Sequence, residues 1–203
     1  MGSLLKPFLA LAYLTTHAQS PVVECRGAIA GCWSPQGHGR QDIISALAIS
    51  CNVYFMQLTA NLNRAALDLT CLSYGLSSPP RNWPPSRLIG LDEGWPQSPI
   101  SIARAFAGLV RNASDPRVHT VLDGMARCAR SGTAQAAGLP CFAKTGTARC
   151  SHFHRGCGDG YAVAIYPLNQ PRYVVLMMRH NTTGAHAAKD LKLLISSSFD
   201  GRG

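Results

Sequence analysis

Acidic residues are scarce in this sequence. Ten Asp and Glu stand against nineteen Lys and Arg in 203 residues, a formal net charge of +9. Such an excess suits anionic lipid headgroups or acidic polymers, but the basic residues are scattered and no run of them is interleaved with aromatics. That excludes a nucleic-acid groove and leaves a basic soluble surface as the plain reading. Charged residues make up only 14% and hydrophobic ones 46%, which excludes an intrinsically disordered chain. Internal repeats and low-complexity tracts are absent, so repeat architectures are excluded as well. There is no long hydrophobic run: Lys6 and Pro7 interrupt the apolar stretch Met1–Leu14 and no small-residue cleavage site follows it, so it reads as neither signal peptide nor membrane span.

Cysteine, by contrast, is present eight times, with irregular spacing that selects neither disulfides, free thiols nor metal ligands. The densest group, Cys150-Ser151-His152-Phe153-His154-Arg155-Gly156-Cys157, offers four soft ligands but matches no standard zinc finger. Cys25 and Cys32 are equally ambiguous. No metal and no cofactor is assigned from these residues.

Along the chain, Leu4–Leu14, Asp42–Ser50, Val53–Leu62 and Arg64–Tyr74 carry apolar residues at helical intervals. After a proline-rich stretch, Ser77–Pro85, read as a surface loop, Ile100–Val110 and Arg117–Ala129 do the same. The pattern then changes. Pro140–Thr147, Tyr161–Tyr166 and Arg172–Arg179 read as short strands in an antiparallel meander, and Gly184–Phe199 returns to helical spacing. In that last helix Ala187, Ala188, Leu191, Leu194 and Ile195 form an apolar face fit to lie on the sheet. The expectation is one α+β domain, with a mainly helical lobe over residues 1–138 and a three-strand sheet with a closing helix over 139–203.

Three short motifs carry chemistry. Ser3-Leu4-Leu5-Lys6, on a helix, puts a hydroxyl and an amine on one face a turn apart, the spacing of a nucleophile and its base. Ser50-Cys51-Asn52 ends a helical run, where a hydroxyl and an amide could project into a cleft. Lys144-Thr145-Gly146-Thr147 ends a strand, where glycine permits close approach of a ligand, lysine offers charge to a carboxylate, and a strand edge can donate N–H groups to an oxyanion. Alone, each is common: a capping serine, a helix-end asparagine, a solvated strand end.

Their order, S-x-x-K then S-x-N then K-T-G, resembles that of the penicillin-binding proteins and serine β-lactamases. Gly37-His38-Gly39 followed by Asp42–Phe55, the run Ser98–Asn112, and Gly132-Thr133-Ala134 ahead of Ala143–Ala148 are similar to class B penicillin-binding proteins, so that the resemblance extends from Gly2 to about Ala188. It implies the β-lactamase/transpeptidase-like fold. Relatives carry two sheet strands and a helix before the catalytic serine, whereas Met1 and Gly2 alone precede Ser3, so the sheet is expected without its first two strands. Ala143 stands where a glycine often precedes the family lysine.

The resemblance implies that Ser3 is the nucleophile, Lys6 its proton acceptor and Ser50 a relay to the leaving group. It further implies that Asn52 holds the substrate amide, and Lys144, Thr145, Gly146 and Thr147 the substrate carboxylate side. The implied partners are D-Ala-D-Ala-terminated peptidoglycan stem peptides, β-lactams and other cell-wall synthesis proteins. The implied location is the outer face of the cytoplasmic membrane, although no signal or anchor is read in the chain. A carboxypeptidase, a β-lactamase and a non-catalytic β-lactam-binding remnant are the competing readings. No glutamate motif of the class A β-lactamases follows the second element, and S-x-N differs from the S-x-V of class D. His38, which the family mechanism gives no proton-transfer role, reads as a turn residue.

Overall fold

Leu4, Leu5, Phe8, Leu9, Ala10, Leu11 and Ala12 are all buried. In the computed structural model, which describes residues 1–91, 95–149 and 158–199, they make the first helix apolar on every side, as befits a helix inside a core. That helix, α1 (Lys6–Thr16), packs on α3 (Asn52–Ala60), α4 (Arg64–Tyr74) and α7 (Pro116–Ser131). Phe8 anchors the packing, its ring edge-on to Phe106 at 5.3 Å and tilted against Tyr74 at 5.4 Å. Phe8→Ala should therefore lower stability by about 3–5 kcal/mol. Equilibrium urea unfolding would show this as a lower midpoint with unchanged slope, and a loss below about 1 kcal/mol would contradict the anchoring role.

Three helices start where side-chain caps place them. α6 (Pro99–Arg111) begins ahead of the expected Ile100 because the Ser98 hydroxyl accepts from Ser101 N–H and Pro99 occupies the first turn. α7 begins at Pro116 because Asp115 accepts from Arg117 N–H. α2 (Ile43–Ala48) opens with a capping box between Asp42 and Ser45. One turn of helix, α5 (Pro85–Leu88), stands at the end of the expected proline-rich loop.

The main sheet has three antiparallel strands, β3 (Phe142–Ala148), β4 (Asp159–Tyr166) and β5 (Tyr173–Arg179), in that order. Its register pairs Lys144 with Val163 and Gly146 with Tyr161. α8 (Gly184–Phe199) and α7 cover the sheet over a small, alanine-rich core of Ala143, Ala162, Ala164, Ala187, Ala188, Leu191 and Ile195. Leu194 departs from the expected face: it is 41% exposed, because the stripe that meets the sheet is narrower than the apolar sequence pattern. A second hairpin was not anticipated. β1 (Val23–Cys25) and β2 (Gly39–Gln41) are three residues each, too short for a period-two pattern to register. The Cys150–Cys157 cluster lies outside the described residues, and no described helix is long and apolar enough to cross a membrane.

Candidate active site

The first motif does not lie on one α-helix. Gly2–Leu5 is a 3-10 turn and α1 starts at Lys6, so the hydroxyl and amine sit on either side of a change in helix type. The 3-10 turn is pressed against β3. Gly2 has φ of +53°, and a Cβ there would stand 2.4 Å from the Thr147 carbonyl oxygen. A Cβ on Gly146 would stand 2.8 Å from Met1 O and 3.1 Å from Ser3 N. Both positions exclude any larger residue, and their contact sets Ser3 beside the end of the K-T-G strand.

The second motif is a helix end in a strained form. α2 closes with Cys51 N–H donating to Ala46 O at 3.0 Å, a six-residue ring that requires its penultimate position to be left-handed. Ser50 fills that position with φ of +56°, where glycine is usual, at a cost of roughly 1–2 kcal/mol. Strained residues of this kind cluster at active sites and ligand clamps.

The result is that Ser50 Oγ lies between two buried lysines. Lys144 Nζ donates to it at 2.9 Å and to Thr145 O at 2.7 Å. Lys6 Nζ donates to Asn52 Oδ1 at 2.8 Å and to Ser50 O at 2.9 Å, with a longer 3.4 Å contact to Ser50 Oγ. The two shorter bonds occupy both N–H groups of a neutral amine and leave a lone pair to accept a proton. Burial, joined by the charge of Lys144, pushes Lys6 well below the ordinary lysine range; the nearby thiols of Cys51 and Cys32 act in the opposite direction. Burial also lowers Lys144, to about 8.

A cavity of about 640 Å³ opens over this group. Ser3, Ser50, Asn52, Thr145, Gly146 and Thr147 line it, so six of the eight expected site residues share one wall system. Lys6 and Lys144 lie behind that wall, both fully buried. There the Lys144 amine is engaged by Ser50 Oγ and Thr145 O. The Lys6 backbone N–H donates to Ser3 O, and among the described residues no hydrogen bond joins the Ser3 hydroxyl to the Lys6 amine.

Other residues at the site had weaker signals. Thr133 is hydrogen-bonded through its hydroxyl to Thr145 Oγ1, which gives the Gly132-Thr133-Ala134 segment a structural reason to accompany K-T-G. Gly184 N–H donates to Thr147 Oγ1 at 3.0 Å and ties the start of α8 to the strand. Trp33, passed over in the sequence, lines the cavity and donates from its indole to Ile49 O at 3.3 Å; only a lone aromatic next to Cys32 marked it.

A helical lobe set against a small antiparallel sheet, with a serine-and-lysine cleft between them, is the architecture of penicillin-binding protein transpeptidase folds. The family model for the penicillin-binding protein transpeptidase domain matches residues 1–194, and the chain belongs to that family. Among solved structures it is similar to Pseudomonas aeruginosa PBP2 in complex with WCK 5153, with a TM-score of 0.78 at 22% identity over 100% of this chain and 61% of that one. It is also similar to Helicobacter pylori PBP2 in complex with MreC, with a TM-score of 0.75 at 18% identity over 99% of this chain and 49% of that one. Mycobacterium tuberculosis PBP3 complexed with aztreonam gives a TM-score of 0.67 at 16% identity, over 98% and 62%. The chain thus spans about half to three fifths of the length of these three solved proteins. No curated protein sequence matches it.

Proposed function

We propose that this chain performs acyl transfer from D-Ala-D-Ala-terminated peptidoglycan stem peptides and is acylated by β-lactams. The observation that carries the reading is the cleft itself, where the hydroxyl of the strained Ser50 stands between two buried lysines beneath a cavity lined by Ser3 and the edge of β3.

In the proposed reaction Ser3 Oγ attacks the carbonyl carbon of the penultimate D-alanine while its proton passes to the neutral amine of Lys6. Backbone N–H groups of Ser3 and Thr147 stabilise the oxyanion, each worth about two to three powers of ten in rate. The C–N bond to the terminal D-alanine then breaks, and Ser50, bridging Lys6 and Lys144, delivers the proton that this amine needs. Asn52 holds the substrate amide, and Thr145 and Thr147 hold the terminal carboxylate with the charge of Lys144 behind them. An amine from a neighbouring stem resolves the acyl-enzyme into a cross-link; water in its place makes a carboxypeptidase. Family membership supports a setting at the outer face of the cytoplasmic membrane, among cell-wall synthesis proteins.

Incubation with a stem pentapeptide and an acceptor amine tests the reading: released D-alanine together with cross-linked product supports it, and absence of both release and β-lactam attachment sinks it. The pH profile of acylation tests the lysine assignments. Lys6 works neutral, so the rate should rise with pH through its depressed pKa. Lys144 works charged, so the rate should fall above about pH 8. Lys144→Arg, which keeps its charge, should move the falling limb to higher pH; an unmoved limb would assign it to another group.

A further inference from the structure

Behind the second motif lies a group of side chains that the acyl-transfer mechanism does not use. Asn52 faces the cavity with Ser50, whereas Cys51 between them joins Cys25, Cys32 and His38 in a cluster whose four potential ligand atoms all lie within 4.8 Å of one another. All three cysteines are buried and free of disulfides. His38 Nδ1 is 3.5 Å from Cys25 Sγ and 3.4 Å from Cys32 Sγ. Zinc–nitrogen and zinc–sulfur bonds of about 2.0 and 2.3 Å at a tetrahedral angle would set nitrogen and sulfur about 3.5 Å apart. Two thiols and the imidazole thus already stand at the spacing that such an ion imposes, with the Cys51 thiol within 4.8 Å of each.

We propose that Cys25, Cys32, His38 and Cys51 form a closed, tetrahedral zinc site that clamps the β1–β2 hairpin to the Ser50–Asn52 turn. The donor chemistry selects the metal: with thiolates, an imidazole and no carboxylate, the set suits zinc and not magnesium or calcium. A further observation points to a ligand. Nε2 of the His38 ring has no hydrogen-bond partner, and the ring otherwise only tilts against Trp33 at 5.0 Å, so among the described residues the two thiols at Nδ1 are its only polar side-chain neighbours and no carboxylate or carbonyl competes for the nitrogen that faces the sulfurs. The clamp also has a use. Ser50 sits in a strained left-handed conformation, and one covalently bound neighbour at Cys51 would hold both it and Asn52 in place. The four ligands are separated by six, five and twelve residues, which matches no finger pattern and hid the site in the sequence.

The experiment is metal analysis of the chain purified without added zinc, followed by replacement with cobalt. We expect one zinc per chain, and with cobalt the ligand-field and sulfur charge-transfer absorption of a tetrahedral thiolate site. Cys32→Ser and His38→Ala should lose the metal, Cys32→His should keep it with an altered cobalt spectrum, and Cys71→Ser, a buried cysteine outside the cluster, should keep it unchanged. A chain without zinc that gives no cobalt spectrum overturns the site, as does a Cys25–Cys32 disulfide found by non-reducing peptide mapping. Stripping the ion with a chelator should slow penicillin acylation about a hundredfold, the cost of misplacing a catalytic group by about an ångström. An unchanged rate in the stripped protein overturns the clamp. The metal readouts do not depend on acylation, so failure of the acyl-transfer reading would leave the test of the site intact.

Discussion

Ser3→Ala should leave the protein unable to form a covalent penicillin adduct, with the acylation rate falling by about four powers of ten or more. The hydroxyl is the nucleophile in the proposed reaction. Ser50 also lines the cavity, but its oxygen accepts from Lys144 at 2.9 Å and its backbone is fixed in a left-handed turn, which suits relay rather than attack. Ser3 is only partly buried and its side chain supports no described hydrogen bond, so alanine should leave the thermal melt almost unchanged. Intact-mass spectrometry after incubation with penicillin gives the answer directly. An adduct of normal yield on the Ser3→Ala protein would mean that the nucleophile has been misassigned.

Removal of the Lys6 amine should cost about two to four powers of ten in acylation, the usual contribution of a positioned general base. Lys6→Ala would also strand Ser50 O and Asn52 Oδ1, which it holds at 2.9 and 2.8 Å, at about 1–3 kcal/mol for each buried acceptor left unpaired. Against this, deletion removes an amine whose charging in the core is disfavoured, and a modest fall in melting temperature is the expected balance. Lys144→Ala serves as the comparison. Acting on the carboxylate side, it should retain part of its acylation by ligands that lack the carboxylate, whereas Lys6→Ala should lose acylation by both kinds. Stopped-flow acylation with paired ligands separates the two; equal losses for the two variants would remove the division of labour.

Much of the architecture was legible because it is local. Helical spacing and the shift to β-branched and aromatic runs after Leu139 act within a few residues, whereas spacing alone starts α6 and α7 one residue late because it does not register the caps at Ser98 and Asp115. The elements that escaped notice are those whose reasons are not local. β1 and β2 are too short to show a period, and the exposure of Leu194 depends on how far α8 rolls onto the sheet. The 3-10 form of Gly2–Leu5 follows from its contact with Thr147 and Gly146, more than 140 residues away in the chain.

The sequence by itself determined the family, because three motifs in one order bring a hydroxyl, two amines and a glycine-bearing strand end, and their residue types do not depend on folding. Only the tertiary structure decided where each amine sits. Burial lowers both lysines, the left-handed turn at Ser50 places one hydroxyl between them, and Lys144 is enclosed behind the cavity wall. The same holds for the cysteines. Their spacing carries no pattern, and the assembly of three thiols and an imidazole arises only where a hairpin folds back on the end of a helix, since the distances between ligands are set by packing and not by position in the chain.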